Sequence, residues 1–96
     1  MTDESRCVRA RIRGRVQGVW YRAWTEKTAR NLGLAGWVRN RADGSVEALF
    51  CGAPEMVERM LELLHDGPPA ARVDAVETEP DVPPVPGEGF RVLPTL

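Results

Sequence analysis

Residues 14–22, Gly14-Arg15-Val16-Gln17-Gly18-Val19-Trp20-Tyr21-Arg22, hold two glycines, two arginines and no acidic residue. That composition suits the capture of an anion. Glycine lets the backbone take φ > 0 and turn its N–H groups inward, and a helix beginning after the loop adds the positive end of its dipole. Arg22, in the first turn of that helix, can close on the same anion with a planar fork of donors. The stretch matches neither the phosphate loop ending in Lys-Ser/Thr nor the dinucleotide fingerprint. On spacing alone, a glycine turn with solvated arginines therefore stays open. Other chemistries lack their parts: the single histidine, His65, falls at the exposed end of a helix-like run, so neither a metal cluster nor a histidine-based triad can be assembled.

The elements that must position this loop can be read from hydrophobic period. Cys7 to Arg13 alternates, with Val8, Ala10 and Ile12 on one side and Cys7, Arg9, Arg11 and Arg13 on the other, as in a half-buried strand with a basic outer face. Tyr21, Thr25, Thr28 and Leu32 then recur at helical spacing, and Gly33 suits the left-handed residue that ends a helix. Gly36–Arg41 and Ser45–Cys51 read as a hairpin about Ala42-Asp43-Gly44, with Val46, Ala48 and Phe50 on one face. Pro54 opens a second helix burying Val57, Met60, Leu61 and Leu64, which Gly67-Pro68-Pro69 stops. Ala71–Glu79 alternates with a shift at Ala75–Val76 that leaves its register open. The proline-rich stretch 80–89, with three prolines and one glycine between Asp81 and Glu88, reads as a surface loop. Phe90–Leu93 is an apolar piece able to add a short fifth strand.

The order β-α-β-β-α-β predicts an α+β fold, the ferredoxin-like sandwich, with an antiparallel sheet of order 4-1-3-2 and two helices on one face. In that topology the first and second strands run parallel with the third between them. The loop and Asn40, at the end of the second strand, then share one rim of the sheet, about 9–10 Å apart across two strand spacings. Cys7 and Cys51 fall together at the opposite rim. They are expected to be adjacent but reduced, with a disulfide forming on oxidation.

The 96 residues suffice for one domain spanning 1–96, with residues 1–6 polar and frayed. No apolar run approaches the ~20 residues that span a bilayer, and 1–6 is too short and charged for a secretory signal, so a cytoplasmic location is expected. Net charge is −1, but residues 1–41 carry ten Lys/Arg against three Asp/Glu, and residues 42–96 carry three against eleven. Either the first half presents a positive surface that steers a small anion, or the two halves attract each other across the fold.

Two separated stretches, Gly14 to Arg22 and Leu32-Gly33-Leu34-Ala35-Gly36-Trp37-Val38-Arg39-Asn40, followed by Asp43-Gly44-Ser45-Val46-Glu47 and Gly52, closely resemble the signatures of the acylphosphatase family. The resemblance implies hydrolysis of the carboxyl-phosphate bond of acyl phosphates with no metal or cofactor. Position by position, it implies that Arg22 binds the phosphate and Asn40 positions the water. The backbone amides of Arg15, Val16, Gln17, Gly18, Val19, Trp20 and Tyr21 would hold the phosphate. Inorganic phosphate or another anion would occupy the same loop. Three features depart from the commoner pattern: Tyr21 stands where phenylalanine is usual, Trp20 is bulky, and 80–89 is rich in proline. A nucleic-acid surface built on Trp20, Trp24 and Trp37 is the weaker reading, because these residues fall on a loop, a helix and a strand. A free-standing monomeric enzyme, with no nucleic-acid or membrane partner, is expected rather than an accessory domain like that of hydrogenase maturation proteins.

Overall fold

The computed structural model describes residues 5–82 and 89–96, and along them the two hydrophobic periods separate into strands and helices. The elements are β1 (Arg6–Arg15), α1 (Tyr21–Asn31), β2 (Ala35–Asn40), β3 (Val46–Gly52), α2 (Pro54–Leu64), β4 (Arg72–Pro80) and β5 (Phe90–Val92). The sheet runs β4-β1-β3-β2-β5. The four-strand order is the expected one, extended beyond β2 by β5. Because β5 pairs with β2 in parallel, through Gly36–Phe90, Trp37–Arg91 and Val38–Val92, the sheet is mixed rather than wholly antiparallel. Main-chain pairing continues past β5, with Leu93 N–H donating to Val38 and Leu96 N–H to the carbonyl of Asn40. Pro94 interrupts the ladder only locally, since it lacks a donor. Among the described residues no helix is long and apolar enough to cross a membrane.

Helix α1 packs on β2 and β5, and α2 on β1 and β3. Between them and the sheet lies one core that includes Val8, Ala10, Ile12, Val38, Val46 and Phe50, with Phe90 stacked on Phe50 at 5.6 Å. The buried stripe of α1 is Tyr21, Thr25 and Ala29, not the expected Tyr21, Thr25, Thr28 and Leu32. A step of four residues keeps this stripe over the sheet, and Thr25 enters the core because its hydroxyl donates to the Tyr21 carbonyl, 2.7 Å away. In α2 the buried set is Val57, Met60 and Leu64, with Leu61 at the margin.

The register of β4 is settled by a bulge. Arg13 faces Ala75 and Gly14 faces Val73, so Asp74 is the extra residue. At Gly14, with φ 129°, a Cβ would collide with the carbonyl of Arg72, which explains the glycine. Pro80 closes β4 on the sheet's edge, where a missing donor is tolerated. The expected loop therefore begins after residue 80; its centre, 83–88, lies outside the described residues, as do residues 1–4 of the expected frayed terminus.

On the sheet face away from the helices, the arginines of β1 are paired rather than merely solvated. Arg9 meets Glu79 at 2.6 Å, Arg13 meets Glu77 at 3.1 Å, and Arg11 lies 3.4 Å from Asp43 and 3.9 Å from Glu47. Glu47 is buried and also takes Arg39 at 3.0 Å and Arg41 at 3.1 Å. The opposite charges of the two halves thus meet across the sheet, as the second of the two electrostatic expectations has it. Farther along the same face Cys7 and Cys51 occupy directly paired positions, Cα atoms 4.2 Å apart, and are joined in a disulfide against Leu49 and Trp37. Adjacency is as expected, and the link is the one expected on oxidation rather than the reduced pair expected in a cytosolic setting.

Tyr21 is fully buried, and its hydroxyl donates to the Leu64 carbonyl at the end of α2, 2.7 Å away. The one phenol of the chain thereby ties the two helices together. Burial pushes its pKa well up, so it remains a donor. Tyr21→Phe should cost about 1 kcal/mol by removing this bond. The check is a lower urea midpoint at unchanged slope; an unmoved midpoint would count against it.

Candidate active site

Chain geometry brings the glycine loop and Asn40 to one rim. Both β1 and β2 run antiparallel to β3; Ile12 pairs with Val46, and Val46 pairs with Asn40. These three residues form a row, with Ile12 and Asn40 about 9–10 Å apart across two strand spacings. Beyond Ile12, β1 continues to Arg15 and enters the loop, which returns as α1 at Tyr21. Asn40 follows Val38 by two residues, so its side chain faces the helix layer, the layer that α1 and Arg22 occupy.

The loop is pinned at three points. Val16 and Val19 are buried in the core, and the Gln17 carboxamide nitrogen donates to two carbonyls, of Arg41 and of Ser45, each at 2.8 Å. Only the nitrogen end of the amide can face two acceptors. Between these anchors the backbone takes left-handed geometry twice, at Gly18 (φ 73°) and at Trp20 (φ 67°). Trp20 is also the N-cap residue of α1, and it gives no side-chain hydrogen bond to the helix. No acidic residue stands in the first turn, so the positive end of α1 is left without a charged partner from its own sequence.

Arg22 lies half-buried in that first turn. It lines an open cleft of about 470 Å³ together with Val16, Gly18, Trp20, Ala23 and Val92. Unlike the arginines of the open sheet face, Arg15 and Arg22 make no ion pair with any described residue. Asn40 is buried, and its side-chain oxygen finds no donor among the described residues. A buried acceptor without a partner is rare and calls for a reason. Among the described residues, no group of three or more His, Cys, Asp or Glu is arranged to hold a metal ion.

The expected site residues divide accordingly. Gly18, Trp20 and Arg22 meet at the cleft; Val16 and Tyr21 line it while burying their side chains in the core. Arg15, Gln17, Val19 and Asn40 do not line it. Asn40 is linked to the loop through Gln17, which bonds the carbonyl of the very next residue, Arg41. Cys7 and Cys51 lie at the far end of the strands and take no part. The Gln17 side chain was not assigned a role from the sequence, because a polar residue between glycines carries no periodic signal of what it faces. Val92 was invisible for a similar reason, since only the placement of β5 brings it to the cleft.

The family model described as Acylphosphatase matches residues 8–92. An acylphosphatase of Azoarcus sp. is 60% identical over 85 residues, covering 88% of this chain and 86% of its own length. One from Rhodospirillum rubrum is 58% identical, over 90% and 93%. Among solved structures, an acylphosphatase from Coxiella burnetii superposes with a TM-score of 0.87 at 37% identity, covering 93% of each chain. The fold also recurs at 21% identity within full-length HypF, where this chain matches 13% of the larger protein.

Removing the loop's tether tests its importance. Gln17→Ala should lower kcat/KM for benzoyl phosphate by about 10- to 100-fold, since a small displacement of positioned groups costs rate out of proportion to stability. Stability should fall by no more than ~2 kcal/mol for two hydrogen bonds. Chemical denaturation beside steady-state kinetics measures both, and equal proportional losses would speak for a purely structural role. The turn that receives the tether has a pH limit. Asp43 accepts hydrogen bonds from the Ser45 hydroxyl and backbone N–H and lies near Arg11 and Arg13, which pulls its pKa down to about 2. A depressed pKa means the bond is intact above pH ~4, the unfolded value, and lost as pH falls through about 2. A carbon-detected NMR titration should place the midpoint near 2 in the native protein and higher in Ser45→Ala.

Proposed function

We propose, for a chain that belongs to the acylphosphatase family and so hydrolyses acyl phosphates, that Arg22, Asn40 and the loop amides carry out the reaction. An acyl phosphate's leaving group is a carboxylate, already stable as an anion. Neither a general acid nor a covalent intermediate is needed, and what remains is positioning and charge stabilisation. Arg22 grips two phosphoryl oxygens with its fork. The backbone N–H groups from Arg15 to Tyr21, with the start of α1 behind them, hold the third. The Asn40 side-chain oxygen accepts a hydrogen bond from water and aims the water oxygen at phosphorus, opposite the carboxylate. As that P–O bond breaks, its electron pair leaves with the carboxylate, and the proton of the attacking water passes to a phosphoryl oxygen.

The observation that carries this reading is the buried, donorless oxygen of Asn40, on the loop's rim and on the helix-facing side of the sheet. The unpaired charge of Arg22 in the cleft supports the same assignment. The reading extends to a monomer acting in the cytoplasm on small acyl phosphates, with inorganic phosphate or another anion able to bind the same loop. Among the described residues, the exposed large apolar side chains are Trp20, Val82, Val92 and Leu96, which supports the monomer reading.

Turnover of benzoyl phosphate in the presence of EDTA is the direct test. Arg22→Ala and Asn40→Ala should each lower kcat by at least ~100-fold while the far-UV circular dichroism is unchanged. Arg22→Lys should recover little, because a point charge cannot replace the fork. Activity retained in either alanine variant would show that the residue is misassigned.

A further inference from the structure

Asn40 is the last residue of β2, and at that point the sheet holds only one side of the chain. Main-chain groups of successive strand residues point alternately to the two sides. Arg41 points toward β3, where its N–H donates to the Ser45 carbonyl at 2.9 Å and its carbonyl accepts from Gln17. Asn40 and Ala42 point the other way, where β5 has already ended. The residue that meets both is Leu96. Its N–H donates to the Asn40 carbonyl and its carbonyl accepts from the Ala42 N–H, each at 3.1 Å. An irregular step brings it there. Leu93 N–H bonds the Val38 carbonyl at 2.9 Å, so this segment advances three residues while β2 advances two, and Pro94, which has no donor, falls within the longer step as in a bulge. The start of the segment is held by Arg30 of α1, whose guanidinium donates to the Phe90 carbonyl at 2.9 and 3.3 Å. Leu96 buries little of its own side chain, which is 58% exposed, so its contribution is main chain.

From this geometry we infer that Leu96 is a positioning residue for the reaction: through its main chain it fixes Asn40 at the rim and so sets where the attacking water stands. This rests on the proposed role of Asn40 and adds a residue to it. The Asn40 side-chain oxygen has no donor among the described residues, so its aim depends on the main chain that carries it. That main chain is clamped from two sides. Ser45 and Gln17 engage Arg41 from the β3 side, and Leu96 engages Asn40 and Ala42 from the other. Releasing the outer pair of bonds lets Asn40 shift, and a small shift is costly when a water must be aimed at phosphorus. The phosphoryl group is gripped by Arg22 and by the loop, which Gln17 ties from the opposite side. Leu96 therefore acts on kcat and leaves phosphate binding alone.

Leu96→Pro removes the N–H that meets Asn40, whereas Leu96→Ala keeps both main-chain bonds. With benzoyl phosphate, kcat should fall about tenfold in Leu96→Pro, while KM and the competitive inhibition constant of inorganic phosphate stay within about twofold of wild type. Leu96→Ala should keep the wild-type kcat. A variant lacking residues 95–96 loses the same bonds and gives the same reading should Leu96→Pro not fold. A kcat within about twofold of wild type in Leu96→Pro overturns the positioning role. So does an equal loss in Leu96→Ala, or a loss carried by KM and by weaker phosphate inhibition. Asn40→Ala in the same assay separates the two readings. If it stays active, Asn40 does not position the water; if it is impaired while Leu96→Pro is not, only Leu96 is misassigned. Combined with Asn40→Ala, Leu96→Pro should add no further loss, and an additive loss would count against any action through Asn40.

Discussion

Strand β3 is hydrogen-bonded to β1 on one side and β2 on the other, antiparallel to both, and the whole arrangement follows from that pairing. Two strands antiparallel to a common neighbour must be parallel to each other, so their C-terminal ends reach the same rim. One end opens into the loop and the other is Asn40. For β3 to serve as this central rail it has to be covered on both faces, yet only one carries helices. The open side is covered by side chains: Arg11, Arg39 and Arg41 close over Glu47, while the Cys7–Cys51 link and Trp37 cover Leu49. Arg39 also stacks on Trp37, its guanidinium 4.7 Å from the ring centre.

That charged cover also sorts the arginines. A buried carboxylate is costly unless several donors meet it, and Glu47 has three partners that keep contact with solvent. The acids of β4 and the hairpin turn take up Arg9 and Arg13. Among the described residues, the arginines left without an ion pair are Arg15 and Arg22, at either end of the loop. A basic half and an acidic half thus yield a small net charge overall and a local positive field at one rim, the situation in which a small anion is steered and held.

The loop itself is a compromise between strain and anchorage. Two left-handed residues within three positions would wander if nothing fixed them. Buried Val16 and Val19 hold the loop from below and Gln17 ties it sideways to the hairpin. The acceptors of that tie, the carbonyls of Arg41 and Ser45, are themselves set by the Asp43–Ser45 turn. Loop, turn and Asn40 are thereby joined by one hydrogen-bonded chain, although Gln17 and Asn40 lie 23 positions apart in the sequence.

Much of this was legible in the residue order because it depends on local periods. The alternation of Val8, Ala10 and Ile12, the helical recurrence of Val57, Met60 and Leu64, and Gly33 and Gly67 at the helix ends predict the elements. Their succession predicts the sheet order up to β2. The loop was likewise marked by its composition, whereas Asn40 was marked by its place at the end of β2 and by the family resemblance. The tertiary structure alone decided what depends on partners remote in sequence. Only the pairing of β4 with β1 fixed the bulge at Asp74 and the β4 register, and only the docking of β5 brought Val92 to the cleft. Whether an arginine is neutralised or free, and which way Gln17 turns, likewise hung on long-range neighbours. A side chain's period is written in its nearest residues, whereas its charge balance and hydrogen-bond partners are written in residues that only folding makes adjacent.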